Sequence, residues 1–411
     1  MKRLTNKRIL LGITGSVAAY KGADLVRRLR DAGAEVQVVM TRGGAEFITP
    51  LTLQALSGRP VFLHHLDTET EAAMGHISLA RRADLVLIAP ASADFIARLA
   101  QGRADDLLAT LCLASAGPLA VAPAMNQQMW SQPATQDNLR RLRQRGVHVF
   151  GPGSGGQACG ETGPGRMLEP QEIVALSAAL FDTGLLQGRR VLIDAGPTQE
   201  DIDAVRYLSN RSSGKMGFAL AEAAVEAGAA VTLVSGPVAL PTPERVTRID
   251  VRTAAQMHAA VLGRAQEQDI FIAAAAVSDY RAAQPLPGKA KKQARLTLEL
   301  VRNPDILRGV TALPRRPFTV GFAAETENVE DYARAKLRDK ALDMIVANEV
   351  GRGDRGFESD DNELLVLWEG GRKRLPLGPK GRLARELITL IAERYGAEED
   401  TAQDTGPEAG Q

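Results

Sequence analysis

The chain has 411 residues, which at roughly 150 residues per domain is too long for one ordinary domain. Its 50 basic and 49 acidic side chains leave a net charge of +1, so no global charge bias holds it to nucleic acid or to an anionic lipid surface. The balance of 45% hydrophobic and 24% charged residues is that of a soluble globular protein, two cysteines exclude a disulfide scaffold, and no stretch reaches the roughly 18 apolar residues of a bilayer span.

The basic N-terminus runs into an apolar stretch that ends in a glycine turn, which reads as a first strand and not as a signal peptide. That strand is Arg8–Thr14, with Gly15-Ser16 behind it. A helix from about Val17 to Ala32 carries Leu25, Val26 and Leu29 at helical spacing and stops at Gly33. Strands follow at Glu35–Met40, Asp84–Ala89, Pro118–Ala122 and Val147–Phe150, with a helix around Asp94–Gln101. Strands alternating with helices predict right-handed βαβ units and a doubly wound parallel sheet. Near residue 189 the pattern restarts. Arg190–Ala195 is a buried strand, the helix Phe218–Ala227 ends at Gly228, and Ala230–Ser235, Asp269–Ala275, Thr319–Phe322 and Met344–Ala347 are further strands, with a helix at Val329–Lys340 before the last. The expectation is two tandem Rossmann-like α/β domains, 1–187 and 188–396, joined after the helix Pro170–Phe181. The acidic tail 397–411 is expected to be disordered. Free thiols suit a reducing compartment, so the chain is expected in the cytoplasm.

Ligands of an open parallel sheet sit at the carboxyl ends of its strands. In the first half those ends carry Gly15 and Ser16, then Thr41, then Ser92 within Pro90-Ala-Ser-Ala-Asp94, then Met125 and Asn126 within Pro123-Ala-Met-Asn126. Small residues and hydroxyls there describe a mononucleotide or flavin phosphate cradle. The spaced G-x-G-x-x-G of dinucleotide folds is absent, which disfavours NAD. Three more residues have chemistry to offer. His76 lies beside a helix start, Asn126 carries an amide able to anchor a carboxylate, and Cys159 lies in the glycine-dense run Gly155–Gly165. Cys112, inside Leu111-Cys-Leu-Ala114, has the setting of an inert core thiol.

Pro123-Ala-Met-Asn-Gln-Gln-Met-Trp130 resembles the P-x-M-N-x-x-M-W signature of flavin-dependent cysteine decarboxylases, and Gly75-His76-Ile77 and the Cys159 flap resemble that family's other two active-site elements. The second half is similar to the phosphopantothenate–cysteine ligase domain. The whole chain, roughly 5–396, resembles the bacterial bifunctional phosphopantothenoylcysteine decarboxylase/phosphopantothenate–cysteine ligases of coenzyme A synthesis. Ser16 stands where many members carry a second glycine, and a serine there can still cap the helix and face a phosphate.

The resemblance implies a flavodoxin-like first domain that holds FMN at Gly15, Ser16, Thr41 and Ser92. Oxidation of the substrate thiol by the flavin then lets the carbanion left by CO₂ loss delocalise onto sulfur. His76 is implied as the base, Asn126 and Met125 as substrate contacts, and Cys159 as the proton donor for the final reduction to 4′-phosphopantetheine. In the second domain Asn210 is implied at the acyl-cytidylate, Arg206 on the substrate side, and Lys289 of the Lys289-Ala-Lys-Lys292 loop at the phosphates. CTP is implied at Ala273, Ala274, Ala275, Asp279, Pro304, Asp305, Ile306, Leu307, Phe322, Lys336 and Lys340, with Mg²⁺ carried largely by the triphosphate, since no dedicated metal cage is visible. The expected partners are 4′-phosphopantothenate, cysteine and CTP, with neither nucleic acid nor membrane. The resemblance also implies a homo-oligomer of decarboxylase trimers and ligase dimers, which permits a dodecamer. The rival readings are another flavoprotein of the same first-domain fold: a flavin prenyltransferase, which leaves the second domain unexplained, or an electron carrier, for which Cys159 and His76 are superfluous.

Overall fold

A computed structural model describes residues 3–5, 7–63, 75–289, 291, 296–325, 328–349 and 359–404. The chain divides into two compact units, Met1–Phe181 and Asp182–Gln411. The dividing line falls before the sequence-based boundary of 187/188, because the backbone N–H groups of Thr183 and Leu186 donate to the carbonyls of Glu226 and Ala227 in the second unit.

The first unit is built on β1 (Arg8–Ile13), β2 (Glu35–Met40), β3 (Leu85–Ala91), β4 (Leu119–Pro123) and β5 (His148–Val149). Their order in the sheet is β2-β1-β3-β4-β5, all parallel. This is the flavodoxin-like strand order, and it reverses between β1 and β3. Every residue of β3 is buried, as expected for a strand covered on both faces. One face packs Ile9, Leu11 and Ile13 against Leu25, Val26 and Leu29 of the helix Lys21–Asp31 and Ile173 of the helix Pro170–Ala179. The other packs Leu10, Val86 and Ile88 against Phe95, Ile96 and Leu99 of the helix Ala93–Gln101. Each fully buried leucine or isoleucine contributes about 1.5–3 kcal/mol, so these two layers pin the sheet firmly. Caps then set where the helices begin. The Ser92 hydroxyl accepts the Phe95 N–H at 3.3 Å, and Gly102, at φ +70°, closes the same helix. The segment expected as one helix from Val17 opens as a 3₁₀ turn, Val17–Tyr20, capped by Ser16. A hairpin of β6 (Gly153–Gly156) and β7 (Thr162–Arg166) follows the sheet and carries Cys159 in its turn.

The second unit contains β8 (Arg190–Ala195), the ribbon β9 (Gln199–Asp201) and β10 (Tyr207–Ser209), then β11 (Ala230–Ser235), β12 (Val246–Asp250) and β13 (Ile270–Ala273). The ribbon β14 (Tyr280–Ala282) and β15 (Leu300–Arg302) comes next, then β16 (Phe318–Glu325), β17 (Met344–Glu349), β18 (Asp361–Trp368) and β19 (Gly371–Pro379). The main sheet runs β12-β11-β8-β13-β16-β17-β18-β19, parallel as far as β17 and antiparallel after it. Its first six strands have the Rossmann order, reversing between β8 and β13. Helices Lys215–Glu226 and Lys380–Asp404 cover one face, and Ala254–Ala265, Ile306–Thr311 and Val329–Asp339 the other.

Two features differ from the sequence reading. β12, β18 and β19 extend the sheet beyond the expected strands; in β18 the buried residues mostly alternate with half-buried ones, as befits a strand near a sheet edge. The last helix runs from Lys380 to Asp404, into the stretch expected to be disordered, and residues 405–411 lie outside the described ones. Ala397–Asp404 holds neither proline nor glycine, so nothing in its composition breaks the helix. Among the described residues no helix is long and apolar enough to cross a membrane.

Candidate functional site

In the first unit a cavity of about 440 Å³ opens at the carboxyl ends of β1, β3 and β4, where the strand order reverses. Gly15 and Ser16 line it from the β1 end, Ser92 and Ala93 from β3, Met125 and Asn126 from β4, and Cys159 from the hairpin. Thr14 lies beneath: its hydroxyl donates to the Pro90 carbonyl at 2.8 Å and accepts the Ser92 N–H at 2.9 Å, tying the two loops together. Gly15 packs closely here, since a Cβ there would stand 3.3 Å from the Gly43 backbone, a tight contact. Thr41 does not line the cavity. Its hydroxyl accepts the Gly44 N–H at 3.1 Å and caps the turn that Gly15 packs against.

Asn126 is the centre of the polar cluster. Its Oδ1 accepts the Gln128 N–H at 2.8 Å, which fixes the side chain at the start of the short helix Gln127–Ser131. Its Nδ2 therefore points toward the hairpin, donating to Glu161 Oε2 at 2.7 Å and to Cys159 Sγ at 3.3 Å. Cys159 Sγ in turn lies 3.7 Å from the same Glu161 oxygen. Two ties hold the hairpin over the cavity. The Met125 N–H donates to the Gly165 carbonyl at 2.9 Å, and the buried Lys21 ammonium reaches the Met167 carbonyl at 3.2 Å and Glu169 Oε1 at 2.7 Å. Cys159 is exposed and Cys112 buried. Burial, with a smaller contribution from Asp106, pushes the Cys112 thiol far above its ordinary range. Glu161 was not singled out from the sequence; the available signal was a carboxylate two residues beyond the cysteine. His76 lies in the helix Gly75–Arg82, and its side chain is outside the described residues.

The lining fits a flavin. Hydroxyls at Ser16 and Ser92 and loop amides at Gly15 and Ser16 suit a phosphate and a polar ring edge, while Ala124, Met125, Met129 and Met167 offer apolar walls to a flat aromatic system.

The second unit has two adjoining cavities at the carboxyl ends of its sheet, of about 590 and 560 Å³. They share Ala275, Val277, Asp279, Phe322 and Lys336. Ala273, Pro304, Asp305, Ile306, Leu307 and Lys340 line the first, and Asn210 and Ala274 the second. Asn210 Nδ2 donates to the Val277 carbonyl at 2.9 Å and the Ala276 carbonyl at 3.3 Å, so the loop before the helix Lys215–Glu226 is strapped to the segment leaving β13. Lys336 Nζ donates to the Phe322 carbonyl at 2.7 Å, and Lys340 pairs with Asp305 at 3.0 Å. Burial works to raise the Asp305 carboxyl, but the Arg308 amide and the Lys340 ammonium outweigh it and hold the group below the ordinary carboxylate value. On the far rim Lys380 is buried and donates to the Ser359 carbonyl; burial first, then the charge of Lys215, bring its ammonium down to about 8.

Two expected residues stand apart. Lys289 is exposed on the connection between β14 and β15 and lines neither cavity, while Ala290 and Lys292 lie outside the described residues. Arg206 pairs with the buried Asp203 at 2.7 Å and also lines neither. One residue the sequence reading passed over is prominent. Asp194, near the end of β8, is 1% exposed and lines the first of these cavities. Among the described residues no three His, Cys, Asp or Glu side chains group as metal ligands.

The family model described as "Flavoprotein" matches residues 1–182, and that described as "DNA/pantothenate metabolism flavoprotein C-terminal domain" matches residues 186–395. The "Coenzyme A biosynthesis bifunctional protein CoaBC" of Vibrio vulnificus is 55% identical over 96% of this chain and 100% of its own length. The protein of the same name from Escherichia coli K12 is 56% identical over 95% and 98%, and that from Bacillus subtilis 43% over 95% and 97%. Among solved structures, the C-terminal domain of a CoaBC protein is 43% identical over 51% of this chain and 97% of that one, with a TM-score of 0.45. A PPC decarboxylase mutant complexed with pantothenoylaminoethenethiol is 34% identical over 43% and 98%, with a TM-score of 0.39.

Proposed function

We infer the function from the premise that this chain belongs to the family of coenzyme A biosynthesis bifunctional proteins. It is a bifunctional enzyme, a phosphopantothenate–cysteine ligase and a phosphopantothenoylcysteine decarboxylase. The second unit joins cysteine to 4′-phosphopantothenate at the expense of CTP, and the first decarboxylates the product to 4′-phosphopantetheine. The observation that carries this assignment to one chain is that each unit has its own cavity at the reversal point of its own sheet.

In the first unit Gly15, Ser16 and Ser92 would hold FMN, which when bound would supply the electron sink that carboxylate loss from a cysteine lacks. Asn126 Nδ2, now on Glu161, turns to the substrate carboxylate and orients it. Cys159 Sγ, on the same hairpin, delivers the proton that completes the final reduction. His76 is the base of this site.

In the second unit a carboxylate is a poor acyl donor, so CTP converts it to an acyl-cytidylate that cysteine's amine then opens, releasing CMP. Lys336 and Lys340, which line the first cavity, face the nucleotide, and Asn210, which lines the second, faces the acyl group; from outside both cavities, Arg206 serves the substrate side and Lys289 comes in from its loop to the phosphates on substrate binding. Mg²⁺ arrives on the triphosphate. Assembly is part of the proposal. Val17 and Tyr20 line the first cavity yet are 57% and 63% exposed, which suits a trimer contact that completes the flavin site. Tyr207 and Tyr280, exposed on the two small ribbons, suit a dimer contact between ligase units. The working location is the cytoplasm.

A coupled assay with phosphopantothenate, cysteine and CTP tests the reading, following pyrophosphate and CO₂ separately. Pyrophosphate release that requires cysteine for turnover, followed by CO₂, is expected. CO₂ formed from added phosphopantothenoylcysteine with no CTP-dependent ligation would limit the enzyme to its first half.

A further inference from the structure

Among the described residues that line the first ligase cavity, Asp194 is the one buried carboxylate. It sits at the position in β8 aligned with Val234 of β11 and Ala273 of β13, at the point where the strand order reverses. Its Oδ1 accepts the Ala275 N–H at 2.8 Å. The same segment, after leaving β13, gives its Ala276 and Val277 carbonyls to Asn210 and its Ser278 N–H to the Thr198 hydroxyl at 2.9 Å. Asp194 thus holds one side of the strap whose other side holds Asn210.

Buried Asp203 has Arg206 and buried Asp84 has Arg8, whereas among the described residues no cation pairs with Asp194, which like the buried Glu200 accepts a backbone amide. Around the cavity the charged groups are Asp279, Arg302, Asp305, Arg308, Lys336 and Lys340. On the helices against this sheet, Lys215 and Lys380 line the adjoining cavity, Lys380 with its ammonium brought down to about 8, and His258 lies on the helix Ala254–Ala265; none of the three bonds to Asp194. A carboxyl group enclosed in this way is neutral at the cost of one proton or charged at the cost of solvation.

We propose that Asp194 is a proton-sensitive positioning residue of the ligase site, which fastens the Ala274–Asp279 segment and makes nucleotide binding take up a proton. The inference rests on the reading of this cavity as the CTP site. Two effects give the same sign. A neutral carboxyl removes like-charge repulsion toward a polyphosphate, and its O–H can donate to a phosphate or base oxygen while Oδ1 still accepts the Ala275 amide. Burial, opposed only by amide hydrogen bonds from Ala275 and Ala274, brings the group up to about 7, so the balance lies in the working range. Binding of the CTP anion then proceeds as Asp194–COO⁻ + H⁺ → Asp194–COOH, with the proton drawn from buffer.

The test is calorimetry of CTP binding to the full-length protein, at pH from about 6 to about 8, in pairs of buffers with different ionisation enthalpies. At pH near 7 the wild type is expected to take up roughly half a proton per site more than Asp194→Asn. Above that pH its affinity is expected to fall relative to Asp194→Asn by up to about tenfold per pH unit. The Asn variant keeps the acceptor for Ala275 and mimics the neutral form. Asp194→Leu, which removes the acceptor, is expected to weaken binding at every pH. Wild-type binding without proton uptake, or an Asp194→Asn variant with unchanged pH dependence, overturns the proposal whether or not the leucine variant folds. A wild type that binds no CTP at any pH overturns the reading of the cavity, and the proposal with it.

Discussion

At the scale of single residues the two thiols separate cleanly. Cys112 and Cys159 are alike in composition counts, but one is buried among Leu108, Leu111 and Ile88 and the other stands exposed 3.3 Å from an amide nitrogen. Iodoacetamide is expected to label Cys159 alone in the native protein, and peptide mass mapping that finds Cys112 modified under native conditions would contradict the burial argument. Cys159→Ser is expected to accumulate the oxidised enethiol product while ligation continues, as read by mass spectrometry of the product mixture. Asp194 yields a stability prediction with a definite sign. Its folded-state value is raised from 3.8 to about 7, so between those values the native state holds a proton that the unfolded chain has released. Wild-type stability therefore falls with rising pH across that window, by on the order of 4 kcal/mol at most. Asp194→Asn is expected to melt above the wild type by a margin that widens from about pH 4 to about pH 7 and then levels off. A constant margin would mean that the carboxyl titrates normally.

At the scale of elements, the hairpin β6–β7 and the β14–β15 connection are the parts whose chemistry depends on placement. Gly165 sits at φ +127°, and a Cβ there would press into the Met125 carbonyl, the backbone that carries Asn126. Gly165→Ala combines left-side backbone strain of about 1–2 kcal/mol with that clash. Decarboxylation is expected to fall at least tenfold with ligation intact, and equal loss of both would indicate misfolding of the whole chain. The Lys289–Lys292 pattern by itself reads as a solvated surface run, and a role for Lys289 at the phosphates is implied only by the family resemblance; Lys289 stands outside both cavities. Lys289→Gln is expected to abolish CTP-dependent pyrophosphate release and leave CO₂ release from added phosphopantothenoylcysteine unchanged. Retention of ligation would make the loop a solvated surface run.

At the scale of the whole molecule, the division after Phe181 and the closure of each sheet by its own helices give two cores without shared strands. Residues 1–182, expressed alone, are expected to be yellow, to release FMN on denaturation and to decarboxylate; residues 183–411 alone are expected to ligate. A colourless first fragment after reconstitution with FMN would remove the flavin assignment. Much of this level was legible in the chain. Buried strands such as Leu85–Ala91 alternating with capped helices dictate parallel βαβ units, because such strands cannot leave either face to water. The small residues at strand ends, the Asn126 and Cys159 motifs and the restart at residue 190 follow from local composition, which needs no knowledge of distant neighbours. What only the tertiary structure decided is which of those groups meet. Glu161 reaches Asn126 through the hairpin, Arg206 is taken by Asp203, Thr41 caps a turn and leaves the cavity wall to others, and Asp194, in sequence just a polar residue in an apolar strand, lies buried on a cavity floor. Local propensity is written residue by residue, whereas burial and charge pairing depend on strands far apart in sequence being brought side by side at one sheet edge.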